Sequence, residues 1–373
     1  MKRGYSFDEL AIVPGNTTRN PEQVEVSFRL KDFVFSIPVW AAAMDSVVDP
    51  DFASLMHDMG GLGVLNLEGI NARYEHPESV LEEIACAPDD KSTLMLQKVY
   101  AEPIKENLIG ERIRDIKARG SICAVSITPQ NAKRLSPLAC EAGTDMIVAQ
   151  STVTTARHIS KSYRGLIFSE LCASLKVPVV VGNCVSHDCA LELMREGVWG
   201  ILVGVGPGAA CTTREVLGIG VPQATATMDC AAARDKYVKE TGRYVAIITD
   251  GGIQKSDDLC KAFACGADAV MLGAILAQAE EAPGRGYHWG MSTPHPNLPR
   301  GARVQVGTYG SLRQILFGPT SDNLGRQNLI GALKTCMGLC GAANLQGMHH
   351  AELIIAPAIK TEGKYLQLKH QGE

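Results

Sequence analysis

Gly200-Ile201-Leu202-Val203-Gly204-Val205-Gly206-Pro207-Gly208 decides the fold. A short apolar run, Gly200 to Val203, meets three glycines and a proline, which force a turn. A strand that is apolar at every position is buried on both faces, as in a parallel sheet covered by helices. The pattern recurs along the chain. Ile37 to Met44 and Gly61 to Asn66 read as the first two strands, Ile122 to Ile127 and Asp145 to Ala149 as the next two. Val177 to Gly182, Ile201 to Val203, Val245 to Thr249 and Ala269 to Leu272 complete a set of eight.

Between the strands the apolar spacing turns helical. Helices are expected from Asp45-Ser46 onward, over Glu78 to Ala85, Pro129 to Ala142, Asp188 to Glu196 and Asn328 to Leu339, with helical character from Asp89 to Arg119. Eight alternations of strand and helix favour a closed (β/α)8 barrel, a TIM barrel, as one domain over 1–373. An N-terminal polar arm to about Phe35 precedes it, and a C-terminal helix follows. Glu280 to Gln305 is rich in glycine and proline and has no periodicity, so it reads as an inserted flap, about 281–303, after the eighth strand. Ala351 to Pro357 is apolar enough to dock on a neighbour.

A net charge of −4 gives no support for a nucleic-acid partner or a polybasic membrane contact. The first nine residues lack an apolar stretch, so a secretory leader is not expected, and a cytoplasmic location is. The twelve cysteines sit mostly in apolar or helical stretches, where free thiols pack as small hydrophobes. Cys336, Cys340, His349 and His350 match no zinc spacing, and core packing is the better reading.

The late strands end in glycine or a small polar group: Gly182-Asn183, Gly204 to Gly208, Asp250-Gly251-Gly252 and Gly273. A barrel gathers these ends on its active face, and the turns after strands seven and eight commonly take phosphate on backbone N–H groups. Four such ends together point to a ligand. Cys211 follows the glycine turn and precedes Thr212, Thr213 and Arg214, and nest and guanidinium together would stabilise a thiolate. Such a thiolate can add to an electrophilic carbon. Asp250 can accept two hydroxyl hydrogen bonds, as a ribose diol offers, and Asn183 can read a base or a ribose. No GxGxxG follows an early strand, so a dinucleotide would not be bound in Rossmann fashion.

The run Gly204 to Arg214, followed by Gly218-Ile219-Gly220-Val221-Pro222-Gln223, closely resembles the catalytic loop of the IMP dehydrogenase and GMP reductase family. Ala43 to Val47, Gly182-Asn183, Thr249 to Ile253, Val270 to Gly273 and Trp289-Gly290-Met291 match in family order and cover nearly the whole chain. The resemblance implies a homotetramer, NAD as hydride acceptor and a monovalent cation, potassium, on the carbonyls of Gly206, Gly208 and Cys211. It implies that Cys211 attacks C2 of a purine nucleoside monophosphate and that Thr213 assists water activation or ammonia handling. Asp250 would hold the ribose, and Gly252 and Gly273 the phosphate, with Gly208 and Ala209 beside it. Met44, Asn183, Gly290 and Met291 would contact the purine or ribose phosphate, and Gly204 and Gly206 would lie against the nicotinamide.

This chain also departs from the family pattern. Ala87 to Arg119 leaves no room for the paired CBS modules of most IMP dehydrogenases. Ala209, Ala274 and Ala42 stand where the family carries more polar residues, and Gln150, followed by Ser151, replaces an NAD-contacting aspartate. Tyr287 or His288 must fill the role of a tyrosine before the Gly-Met pair. The flap lacks the Arg-Tyr pair of the dehydrogenases, and Arg300 stands where reductases carry a glutamate. A guanidinium there suits water activation better than ammonia release. The resemblance therefore leans toward IMP dehydrogenase, oxidising IMP to XMP through a thioimidate on Cys211. The alternatives are GMP reductase, using NADPH to deaminate GMP to IMP, and a purine-nucleotide-binding regulator without turnover.

Overall fold

A computed structural model describes residues 1–159, 165–290, 302–359 and 361–364. Eight parallel strands close into a barrel. They are β1 (Val39–Ala41), β2 (Leu62–Asn66), β3 (Ala124–Ile127), β4 (Met146–Gln150), β5 (Val179–Cys184), β6 (Gly200–Val203), β7 (Ala246–Asp250) and β8 (Ala269–Leu272). Each pairs with its sequence neighbours, and β8 returns to β1 through Val270 opposite Val39 and Leu272 opposite Ala41. Every strand residue is buried except Asp250, which ends β7 at the cleft. Side chains of one face fill the barrel and those of the other meet the outer helices, which is why these strands read as unbroken apolar runs.

The first helix runs Pro50–Asp58 and does not start at Asp45. Asp49 caps it by accepting the Phe52 N–H at 2.7 Å, and Pro50 fits the first turn, where no N–H is needed. Asp45 is a buried carboxylate instead, accepting from the Ile70 N–H at 3.0 Å and the Tyr100 hydroxyl at 2.6 Å. The stretch after β2 forms helices Pro77–Cys86, Asp89–Ala101 and Glu106–Ala118.

The N-terminal arm is more structured than its polarity suggests. Phe28–Leu30 and Phe33–Phe35 form an antiparallel hairpin. The Phe28 and Phe35 rings lie 6.2 and 6.0 Å from Trp40 of β1, so the hairpin is held by an aromatic cluster. The apolar stretch near the C-terminus docks within its own chain: Leu353–Ile355 pairs with Leu10–Ile12. All twelve cysteines are free. Cys336 and Cys340 border, with Cys260, a second cavity of about 1010 Å³, and no metal-holding His, Cys, Asp or Glu cluster occurs among the described residues. No described helix is long and apolar enough to cross a membrane.

The described ends of the segment expected to form a flap are joined in a ribbon. After β8, Tyr287–Trp289 pairs antiparallel with Arg303–Gln305. Arg303 fastens this ribbon to the helices after β2: it donates to the carbonyls of Ile84 at 2.5 Å and Ala85 at 3.0 Å, reaches Asp89 at 2.6 Å and stacks on Tyr287. Met291 and Arg300 lie outside the described residues.

Candidate active site

The strand ends open into one cleft of about 580 Å³. Cys211 is the only cysteine lining it. Gly204 and Gly206, at φ 152° and 87°, turn the chain out of β6 into a conformation side-chain-bearing residues avoid. The Cys211 N–H then donates to the Gly208 carbonyl at 3.0 Å, closing a tight turn that presents the thiol. Thr213 opens the short helix Thr213–Leu217, and its hydroxyl lies 3.2 Å from the Cys211 sulfur. Thr213 is buried and Cys211 half-buried, so the pair sits where the loop meets the cleft.

Arg214 is not among the residues that line the cleft. Its guanidinium donates to the Val221 carbonyl at 2.9 Å. Its side chain packs so closely under the loop that a methyl group on Gly206 would fall 2.6 Å from its Cγ. Arg214 therefore braces the loop's backbone at Val221 and Gly206.

The loop also rests on the end of β7. A Cβ on Gly251 would lie 3.1 Å from Pro207 Cγ and 3.3 Å from the Gly208 nitrogen, and Gly251 has φ 85°. Gly251→Ala should therefore displace the loop and lower kcat by about 10²-fold, the scale for misplacing a reacting group by about 1 Å. Steady-state kinetics checks this, with the melting temperature showing that the fold survives.

Asp250 stands at the same end. Asn183 donates its amide to the carboxylate at 2.7 Å, and Gln223 holds the backbone by donating to the carbonyls of Val203 at 2.6 Å and Asp250 at 3.2 Å. Burial pushes the Asp250 carboxyl up to about 6, with the Asn183 hydrogen bond pulling the other way. At neutral pH it is an ionised acceptor facing the cleft.

Gly252, Gly273, Met44 and Gly290 line the cleft beyond Asp250, and Gly208 and Ala209 lie on the loop above, with Ala42 and Ala274 also at its wall. His288 joins them, while Tyr287 is not among the lining residues and lies under Arg303. Adjacent residues of a strand face opposite ways, so only one of the two can look inward. Burial pushes the His288 imidazole down to about 4, leaving it neutral.

The remaining wall carries Gln150 and Ser151 with Gly204 and Gly206. Gln150 accepts from the Ser126 hydroxyl at 3.3 Å, and Ser151 exchanges backbone bonds with Gly182 and Asn183. Thr128, Gln130 and Thr152 extend this neutral polar wall and escaped the sequence reading. Thr128, which ends the β3 apolar run just before Pro129, carries the same strand-end signal as Asp250.

Comparison with known proteins agrees with this geometry. The model of the IMP dehydrogenase / GMP reductase domain matches residues 4–293. An uncharacterised oxidoreductase of Mycolicibacterium smegmatis is 41% identical over 95% of this chain and 97% of its own length. The IMP dehydrogenase of Cryptosporidium parvum is 28% identical, covering 92% of this chain and 90% of that protein. A crystal structure of an IMP dehydrogenase/GMP reductase-like protein from Corynebacterium glutamicum superposes with a TM-score of 0.90 at 37% identity, covering 95% of both chains. With its barrel, its cysteine loop and a family match over most of its length, the chain belongs to the IMP dehydrogenase / GMP reductase family of oxidoreductases.

Proposed function

We propose that this oxidoreductase acts on IMP, oxidising it to XMP with NAD. The observation that carries the reading is the Cys211 thiol beside the Thr213 hydroxyl, at the mouth of a cleft that also presents Asp250 and the turns after β7 and β8. The named IMP dehydrogenases among its relatives favour the dehydrogenase direction.

In this reading Asp250 accepts from the ribose hydroxyls, and Gly252 and Gly273 offer N–H groups to the phosphate. In this reading the purine C2 would then lie over Cys211. The thiolate adds to C2, forming the C–S bond. NAD, when bound, would supply the acceptor for the hydride on C2. Gln150, Ser151, Gly204 and Gly206 would hold it, and their neutral, glycine-lined wall fits a flat ring lying on backbone. Water then adds to the thioimidate carbon, the C–S bond breaks and the thiol is restored, so IMP, NAD and water give XMP, NADH and a proton. Thr213, its hydroxyl 3.2 Å from the Cys211 sulfur, would orient that water. The carbonyls of Gly206, Gly208 and Cys211 are hard oxygen donors of the type a potassium ion takes, and they would hold it.

Pure protein should reduce NAD when given IMP, followed at the NADH absorbance, and should leave NADPH untouched when given GMP. Turnover with GMP and NADPH alone would assign the reductase reaction instead. Nucleotide binding without turnover in either assay would leave a regulator.

A further inference from the structure

Ser46 follows the β1 end and takes part in none of the steps above. It is fully buried, and its hydroxyl lies 3.0 Å from Nδ1 of His288. The Trp289 backbone N–H donates to the same oxygen at 3.4 Å. The hydroxyl proton must itself find an acceptor, since a buried donor left unmade is costly. Among the described residues His288 Nδ1 is the acceptor in reach. A neutral imidazole that accepts at Nδ1 carries its proton at Nε2.

The other edge of the ring borders the Gly273 turn. A methyl group on Gly273 would lie 3.2 Å from both Cε1 and Nε2 of His288, and 3.3 Å from the Met44 sulfur. His288 also lines the cleft. Its Nε2–H thus points at the part of a barrel, after β7 and β8, where phosphate groups are commonly held. The ring is held from behind by Ser46 and from the side by the pairing of His288 with Val304.

We propose that Ser46 is a positioning residue that locks His288 in the Nε2–H tautomer, making the neutral ring a donor to the phosphate of the bound nucleotide. The proposal rests on the nucleotide reading above and adds how this chain recognises the phosphate. It supplies a directional N–H where backbone amides alone would be less selective. The buried ring stays uncharged as the free protein's pH varies across the neutral range.

The test compares IMP with inosine, which lacks only the phosphate, by calorimetry at pH 7.5, together with ¹⁵N spectra of histidine-labelled protein. The spectra should show the Nε2–H tautomer at the signal that His288→Gln removes, and a mixed population in Ser46→Ala. His288→Ala should weaken IMP about 10- to 100-fold and leave inosine within twofold. His288→Gln, whose amide nitrogen can reach the Nε2 position, should restore IMP to within about threefold of the parent. Ser46→Ala should weaken IMP severalfold. Equal losses for IMP and inosine in His288→Ala, or an Nδ1–H signal in the parent, would overturn the proposal while leaving the nucleotide reading intact. If the parent bound neither IMP nor GMP, both would fall together.

Discussion

Cys211→Ala should abolish turnover, lowering kcat by at least about 10⁴-fold, while nucleotide affinity stays within about tenfold of the parent. In the proposed mechanism covalent capture is the step on which turnover depends, and no other described residue of the cleft offers a thiol. Cys184 and Cys230 are buried behind the barrel wall, and no cysteine other than Cys211 lines the cavity. Thr213 offers a hydroxyl, a far weaker nucleophile at neutral pH. The substitution should spare binding because the loop does not depend on the sulfur. Its shape comes from the Cys211 N–H on the Gly208 carbonyl, from Pro207 against Gly251 and Gly252, and from Arg214 under Gly206. The same experiment carries a second readout. Parent protein quenched during turnover should show a mass increase equal to the nucleotide adduct, and Cys211→Ala should show none. Retention of more than about a tenth of parental activity would remove Cys211 from the mechanism.

What could be read before the structure, and what could not, divides along physical lines. The eight strands were legible because burial on both faces writes an apolar run into the sequence itself. The hairpin Phe28–Leu30 and Phe33–Phe35 was not, since two three-residue strands carry almost no local signal and Trp40, met later in the chain, holds them. The pairing of Leu10–Ile12 with Leu353–Ile355 joins the two ends of the chain, beyond any local pattern. The start of the first helix was legible in Asp49-Pro50, a cap followed by a first-turn proline, and this signal outranks Asp45-Ser46. In the site, Cys211, Asp250 and the glycine turns could be found because strand ends place them. The bracing of Gly206 and Val221 by Arg214 could not, because contacts across a turn leave no mark in the spacing of the sequence. The choice between Tyr287 and His288 needed the ribbon to Arg303–Gln305, which sets the parity of facing and which no periodicity announced.

Asp250→Asn should weaken IMP binding by about 10²- to 10³-fold and remove a pH dependence that the parent shows. Asparagine has the shape of aspartate and keeps an oxygen for the Asn183 amide, so the strand end should stay in place. What it loses is an ionised acceptor for two hydroxyl donors. Hydrogen bonds to a charged group contribute roughly 1.5–3 kcal/mol each, and a neutral amide oxygen recovers only part of that. The pH signature follows from burial, which pushes the carboxyl up to about 6 against the pull of Asn183. In the proposed reading the ionised form accepts from the ribose, so affinity should level off well above pH 6 and fall as the pH drops through it. Without ligand the sign reverses. A carboxyl whose pKa is higher in the folded chain than in the unfolded one binds more protons when folded. Its contribution to stability therefore declines as the pH rises from about 4 to about 6. Melting curves across that window, with and without IMP, should show opposite slopes from this group in the parent, and Asp250→Asn should flatten both. A parent whose IMP affinity is level down to pH 5, once the nucleotide's own phosphate titration is subtracted using a ligand lacking the ribose hydroxyls, would place the ribose elsewhere in the cleft.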